Sequence, residues 1–143
     1  MIPRPQQALT DLAMKLLFSI APETQSTYAA SSVGMIAMLM QCFAQEFDRA
    51  AAVRMQDINE MAALFESMRD VPPENLVEPI AQFLRGSPES LRIEHLNARH
   101  AQGMQILIEL QAWAETHRVE ELDLEIWSFL IRHADRHAFQ LPV

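Results

Sequence analysis

A chain of 143 residues, half of them apolar, has the size of a single domain (residues 1–143) and can bury a core without disulfides or metals. Its formal charge of -8, with 11 basic residues scattered along the chain, repels a phosphate backbone and argues against nucleic acid as a partner. With Cys42 as the only cysteine no intrachain disulfide can form, which points to a reducing, cytoplasmic setting.

The opening Met1-Ile2-Pro3-Arg4-Pro5 lacks an apolar run followed by a small-residue cleavage site, so no secretory signal is expected. The least polar run, Ala29 to Ala44, contains Ser31, Ser32 and Gln41 and is shorter than the roughly 20 residues of a bilayer span, so no membrane partner is expected either. Lys15 is the only lysine among many arginines, a bias that looks like a GC-rich bacterial genome.

The first helix is predicted over Pro5 to Ile20. Pro5 suits the first helical position, Pro22 closes the end, and Leu9, Leu12, Ala13, Leu16, Leu17 and Ile20 fall on one stripe. From Glu23 to Val71 there is one glycine, no proline and an apolar residue at nearly every turn, which predicts one long helix or two in line. At about 1.5 Å per residue, 30 residues of it span about 45 Å, while a compact domain of this size is roughly 37 Å across. Ser26 or Thr24 is placed to cap its start. Ile36, Met40, Phe43 and Phe47 form its stripe, with Met35, Met38 and Leu39 apolar on other sides, a pattern that predicts burial all round. Between Asp48 and Gln56 the stripe weakens, and Asp57 followed by Glu60 has capping-box spacing. Two arrangements stay open: a continuous helix, or a bend near residues 48–57.

Asp70-Val71-Pro72-Pro73 should end this rod, because a residue before proline avoids the α region. A short helix is expected over Glu74 to Leu84. Gly86, Ser87 and Pro88 then read as a stop, a cap and a start for a helix from Pro88 to Thr116, with Leu96, His100, Gly103, Leu107, Leu110 and Ala114 on one face. A last helix, Val119 to Ala138, turns Leu122, Ile126, Phe129, Leu130 and His133 inward. No strand alternation or internal repeat is visible. The expected fold is all-α: a mostly antiparallel bundle of four long helices plus one or two short ones, built on a long second helix.

Candidate chemistry is sparse. Carboxylate-bridged di-metal bundles use Glu-x-x-His pairs, and no glutamate here is followed three residues later by histidine. No nucleophile elbow or phosphate-cradling loop is present, with only three glycines; no catalytic residue and no cofactor is assigned. His133 and His137 stand four apart on one helix face, a spacing that can supply two nitrogen ligands to a metal, or equally place a histidine at a helix C-terminus. His117 and Glu121 have the same spacing, but a helix junction is expected between them. Polar interruptions occur in two long helices, and Glu46, Arg49, Asn97 and His100 would line a ligand-binding layer if those helices face each other. The leading functional reading is a non-catalytic interaction or structural bundle that self-associates as a homodimer through the rod. The alternative is a metal- or small-molecule-binding protein, an enzyme included, using the polar layer or the histidine pair.

Overall fold

The computed structural model describes residues 4–68 and 73–140. Among the described residues every regular element is helical: α1 (Pro5–Lys15), α2 (Thr27–Ser67), α3 (Val77–Arg85), α4 (Ile93–His117) and α5 (Glu120–His137). The chain divides into two compact units, one comprising Met1–Ala50 with Phe139–Val143 and the other Ala51–Ala138.

In the first unit α1 begins at Pro5 and passes into one π turn, Leu16–Ile20, and a 3-10 turn, Ala21–Glu23, that carries Pro22. Ser26 then caps α2, its Oγ accepting the Ala29 N–H at 3.4 Å. Arg4, Pro5, Gln6 and Gln7 share a surface depression with Phe47 and Asp48, so the start of α1 lies beside the middle of α2 and the two helices run antiparallel. Among the described residues of this unit the buried apolar ones are all alanines: Ala13, Ala37, Ala44 and Ala50. Small side chains occupy the buried positions of this unit, and the large apolar side chains are left exposed. Burial all round is therefore not what this chain shows by itself: Met35, Ile36, Phe43 and Phe47 are all more than half exposed. Near the end of the chain the Gln45 side chain brackets Gln140, donating to its carbonyl at 2.7 Å and accepting its N–H at 2.9 Å.

α2 is unbroken through positions 48–57. That stretch holds Ala50, Ala51, Ala52, Met55 and Gln56, all good helix formers. The capping-box reading fails because Asp57 lies in mid-helix, where its carboxylate serves other helices. The end of the rod expected at Asp70–Pro73 falls largely on residues 69–72, outside the described residues.

The second unit packs the rest of α2 with α3, α4 and α5 around one core. Ile58, Met61, Leu64 and Phe65 of α2 meet Ile80 and Phe83 of α3, Leu96, Ile106, Leu107 and Leu110 of α4, and Leu122, Ile126 and Phe129 of α5. Pro79 is tolerated in the first turn of α3, where a backbone N–H has no intrahelical acceptor. Gly103 lets α4 come close: a Cβ there would lie 2.7 Å from Met61 Cε and 3.0 Å from Phe83.

α4 starts at Ile93 and not at Pro88. Ser90 takes over the local hydrogen bonding, its hydroxyl accepting the Arg92 N–H at 3.2 Å and pairing with His95 Nδ1 at 2.9 Å, which holds residues 89–92 out of the helix. Arg99, one helical turn before Gly103, donates to the carbonyls of Phe83 and Gly86 and stacks 3.7 Å over the Phe83 ring, so a cation closes the C-terminal end of α3. α4 and α5 are joined through Arg118, held in the left-handed region at φ 56°, with the Val119 N–H reaching the Ala114 carbonyl at 3.0 Å.

Candidate metal centre

Three helices of the second unit each carry a polar residue on an otherwise apolar stripe. On α2 Asp57 stands four before Met61 and seven before Leu64. On α4 His100 sits between Leu96 and Gly103, and on α5 His133 follows Phe129 by four. Packing of the three stripes brings these residues together, and His137, one turn after His133, joins them.

Asp57 is the only buried charged residue among the described ones, its side chain fully shielded from solvent. Its two oxygens have different duties. Oδ1 accepts two hydrogen bonds from Arg136, from Nε at 2.9 Å and Nη2 at 2.7 Å. Oδ2 faces three imidazoles: His137 Nε2 at 2.7 Å, His133 Nδ1 at 3.0 Å and His100 Nε2 at 3.2 Å. The His100 and His133 rings are stacked, with centroids 5.5 Å apart and planes at 23°, and the His133 and His137 rings are tilted at 43° with centroids 4.2 Å apart. Around this centre Arg136 also binds both oxygens of Glu60, at 2.7 and 3.2 Å, and Glu60 is held further by Arg132 and Gln56. On the far side Arg54 places Nη1 3.2 Å from His137 Nδ1 and donates through Nε to Asn97 Oδ1 at 3.0 Å.

Burial pushes the Asp57 carboxyl up, but the hydrogen bonds from His100, His137 and Arg136 and the positive charge His133 can carry outweigh it and hold the pKa far below the usual 3.8. Burial pushes the His133 imidazole below 6.5, with the attraction of Asp57 opposing and the neighbouring histidines assisting. These influences compete: a His133 kept neutral lends Asp57 a hydrogen bond and no full charge. Arg136, ionised throughout, is the partner that keeps Asp57 a carboxylate. Glu60, pushed up by burial, is nevertheless held below 4.5 by Arg132, Gln56 and Arg136.

Both effects carry the same sign. His133 refuses in the folded state a proton that the unfolded chain accepts below about 6.5, so its contribution is complete above that pH and shrinks on acidification. Asp57 and Glu60 contribute above about 4 and lose that contribution as pH falls through the unfolded values toward the folded ones. Urea unfolding of chelator-treated protein is therefore expected to show constant stability from pH 8 to 7, a decline below about 6.5, and a second, steeper decline below about 4.5. Stability that rises between pH 7 and 5 would contradict this assignment.

No protein-family model, curated protein or solved structure matches the chain.

Of the residues singled out from the sequence, His100, His133 and His137 meet at Asp57, and Asn97 stands one step behind through Arg54. Glu46 and Arg49 belong to the other unit, where the Arg49 guanidinium lies 5.2 Å over the Phe139 ring. His117 turns back on its own helix, pairing with the Trp113 carbonyl at 2.9 Å, and the left-handed Arg118 separates it from Glu121 as the junction expectation required. The two residues that sequence reading missed are Asp57 and Arg136. A trace of Asp57 was present as a charged residue on the apolar stripe of α2, but its spacing to Glu60 suggested a helix cap. Arg136 offered no signal, since its partners lie more than seventy residues earlier in the chain.

One carboxylate oxygen and three imidazole nitrogens form a donor set suited to a divalent transition metal. Their ligand atoms all lie within 4.8 Å of one another. Metal–ligand bonds of about 2.0–2.1 Å place neighbouring tetrahedral donors about 3.3 Å apart, a value between the Oδ2 distances and that outer limit. The second sphere fits as well, because a ligating carboxylate is normally held by a hydrogen bond to its other oxygen, and Arg136 supplies two. Ligation moves a ring proton at all three histidines, because each donates to Asp57 Oδ2 from the nitrogen that would bind the ion, and at His137 the other nitrogen already has a partner. With Arg54 donating to Nδ1, the ring proton sits on Nε2 and goes to Asp57; ligation through Nε2 moves that proton to Nδ1 and leaves Arg54 to Asn97.

Proposed function

We propose that the protein binds one divalent transition metal ion, of the zinc class, through Asp57, His100, His133 and His137. The observation that supports this is the convergence of three imidazoles from two helices on a single oxygen of a fully buried carboxylate. A structural ion pair needs only Arg136 and Asp57, and nothing in its stability requires three additional titratable rings at the same oxygen. Three neutral nitrogens and one carboxylate satisfy a tetrahedral ion without an open position, the pattern of a structural or storage site more than a catalytic one. The free thiol of Cys42 supports a reducing compartment for the chain.

Elemental analysis of untagged protein, followed by titration of the stripped protein with zinc, tests the reading. One ion per chain is expected, with affinity reduced at least about 100-fold in His133→Ala and His100→Ala, since each removes a direct ligand. Arg54→Ala is expected to strengthen binding by about 3- to 10-fold by freeing His137 Nδ1 to carry its proton. Zinc binding that persists unchanged in both histidine variants, with circular dichroism showing them folded, sinks the proposal.

A further inference from the structure

The first unit is short of a core. Among its described residues the buried apolar ones are alanines, while α2 exposes a continuous apolar row. Met35, Leu39, Phe43 and Phe47 are four residues apart and line one side of the helix, with Tyr28 and Ile36 beside them. Ala37 and Ala44, buried, lie on another side of the helix. Phe47 at the end of the row borders the start of α1, and it is still 63 % exposed, as Met35, Leu39 and Phe43 are at half or more.

We propose that this face is covered by a second copy of the chain, two α1–α2 hairpins combining so that Met35, Leu39, Phe43 and Phe47 of each form a shared core. Three arguments favour this occupant. The first is area. Tyr28 is 83 % exposed, Phe43 60 % and Phe47 63 %. With the aliphatic residues at half exposure or more, the row offers about 600–800 Å², close to the roughly 800 Å² per partner of a standard interface. The second is charge. No Asp, Glu, Lys, Arg or His lies between Thr24 and Gln45, so two chains of net charge -8 can meet there without opposing like charges at the centre. The third concerns the competing occupant. By length and composition α2 could cross a membrane, its most apolar window having a mean hydropathy of 1.3. But Asp11 and Lys15 are exposed on α1, which runs beside that segment, and both would be drawn into hydrocarbon, where ionised side chains are costly. A second copy leaves them in water.

Sedimentation of the full chain between about 1 and 100 µM is expected to give a dimer, and the urea midpoint should rise with concentration, since a ligand of the native state stabilises by mass action. Phe43→Glu and Phe47→Glu should shift the equilibrium to monomer by at least 100-fold in dissociation constant, with Trp113 and Trp127 fluorescence of the other unit unchanged. A monomeric wild type with a concentration-independent midpoint overturns the proposal. So does flotation of the wild type with zwitterionic lipid vesicles in place of dimer formation, or a dimer that survives both substitutions. If a glutamate variant does not fold, the concentration dependence of the wild-type midpoint decides the matter without it.

Discussion

Asp57→Ala is expected to lower the free energy of unfolding by about 3–5 kcal/mol, the range for removing one partner of a buried ion pair. The stability of a domain of this kind is only about 5–15 kcal/mol, so the variant should be close to unfolding at moderate temperature. The loss comes less from the bonds removed than from the groups left behind. Arg136, whose side chain is 13 % exposed, would keep Glu60 but lose two acceptor contacts, and three rings would face a cavity with no acceptor. Asp57→Asn keeps the size and one acceptor oxygen and should cost about half as much, since it removes the charge without creating a void. Asp57→Leu combined with Arg136→Met should cost less than the two single changes together, because the pair shares one desolvation penalty. Thermal and urea melts in the presence of a chelator measure these differences without a contribution from metal. A loss under about 1 kcal/mol for Asp57→Ala would show that the carboxylate is not the organising charge of this unit.

Phe65→Ala should be equally damaging, at about 3–5 kcal/mol, because it empties a large volume that the surrounding helices cannot close. Phe65 is fully buried and meets Phe83 edge to face, with centroids 5.3 Å apart and planes at 81°, so the loss includes an aromatic pair as well as apolar area. Phe43→Ala supplies the contrast. Phe43 has the same side chain on the same helix, yet it is mostly exposed in the single chain. Its truncation should change stability by less than about 0.5 kcal/mol in a monomer at low concentration. Any larger effect should grow with protein concentration, since it then measures association. Equal, concentration-independent losses for the two phenylalanines would mean that the row on α2 is covered within one chain.

That pair of residues also marks where sequence reading succeeds and where it stops. Helical periodicity placed Phe43 on the stripe of the long helix, and composition fixed the all-α class, because propensity and the 3.6-residue period act within a few turns of chain. Pro22 and Gly86 correctly located interruptions, and His117 and Glu121 were correctly separated by a junction. Local reasoning failed where a distant partner outbid a local one. Asp57 has the spacing of a cap but serves Arg136 and three histidines, and Ser90 holds the chain out of the helix that Pro88 was expected to start.

The sequence by itself determined that the chain is helical, where its apolar stripes lie, and that His100 and His133 each occupy one of them. Which stripes face each other was decided by tertiary structure alone. Contacts between residues 43 and 80 positions apart depend on how whole helices pack, and no short window of sequence records that. The same holds for exposure. Phe43 and Phe65 are indistinguishable by period, and only the tertiary arrangement, in which the buried apolar residues of the first unit are alanines and those of the second are large, leaves one in solvent and seals the other away.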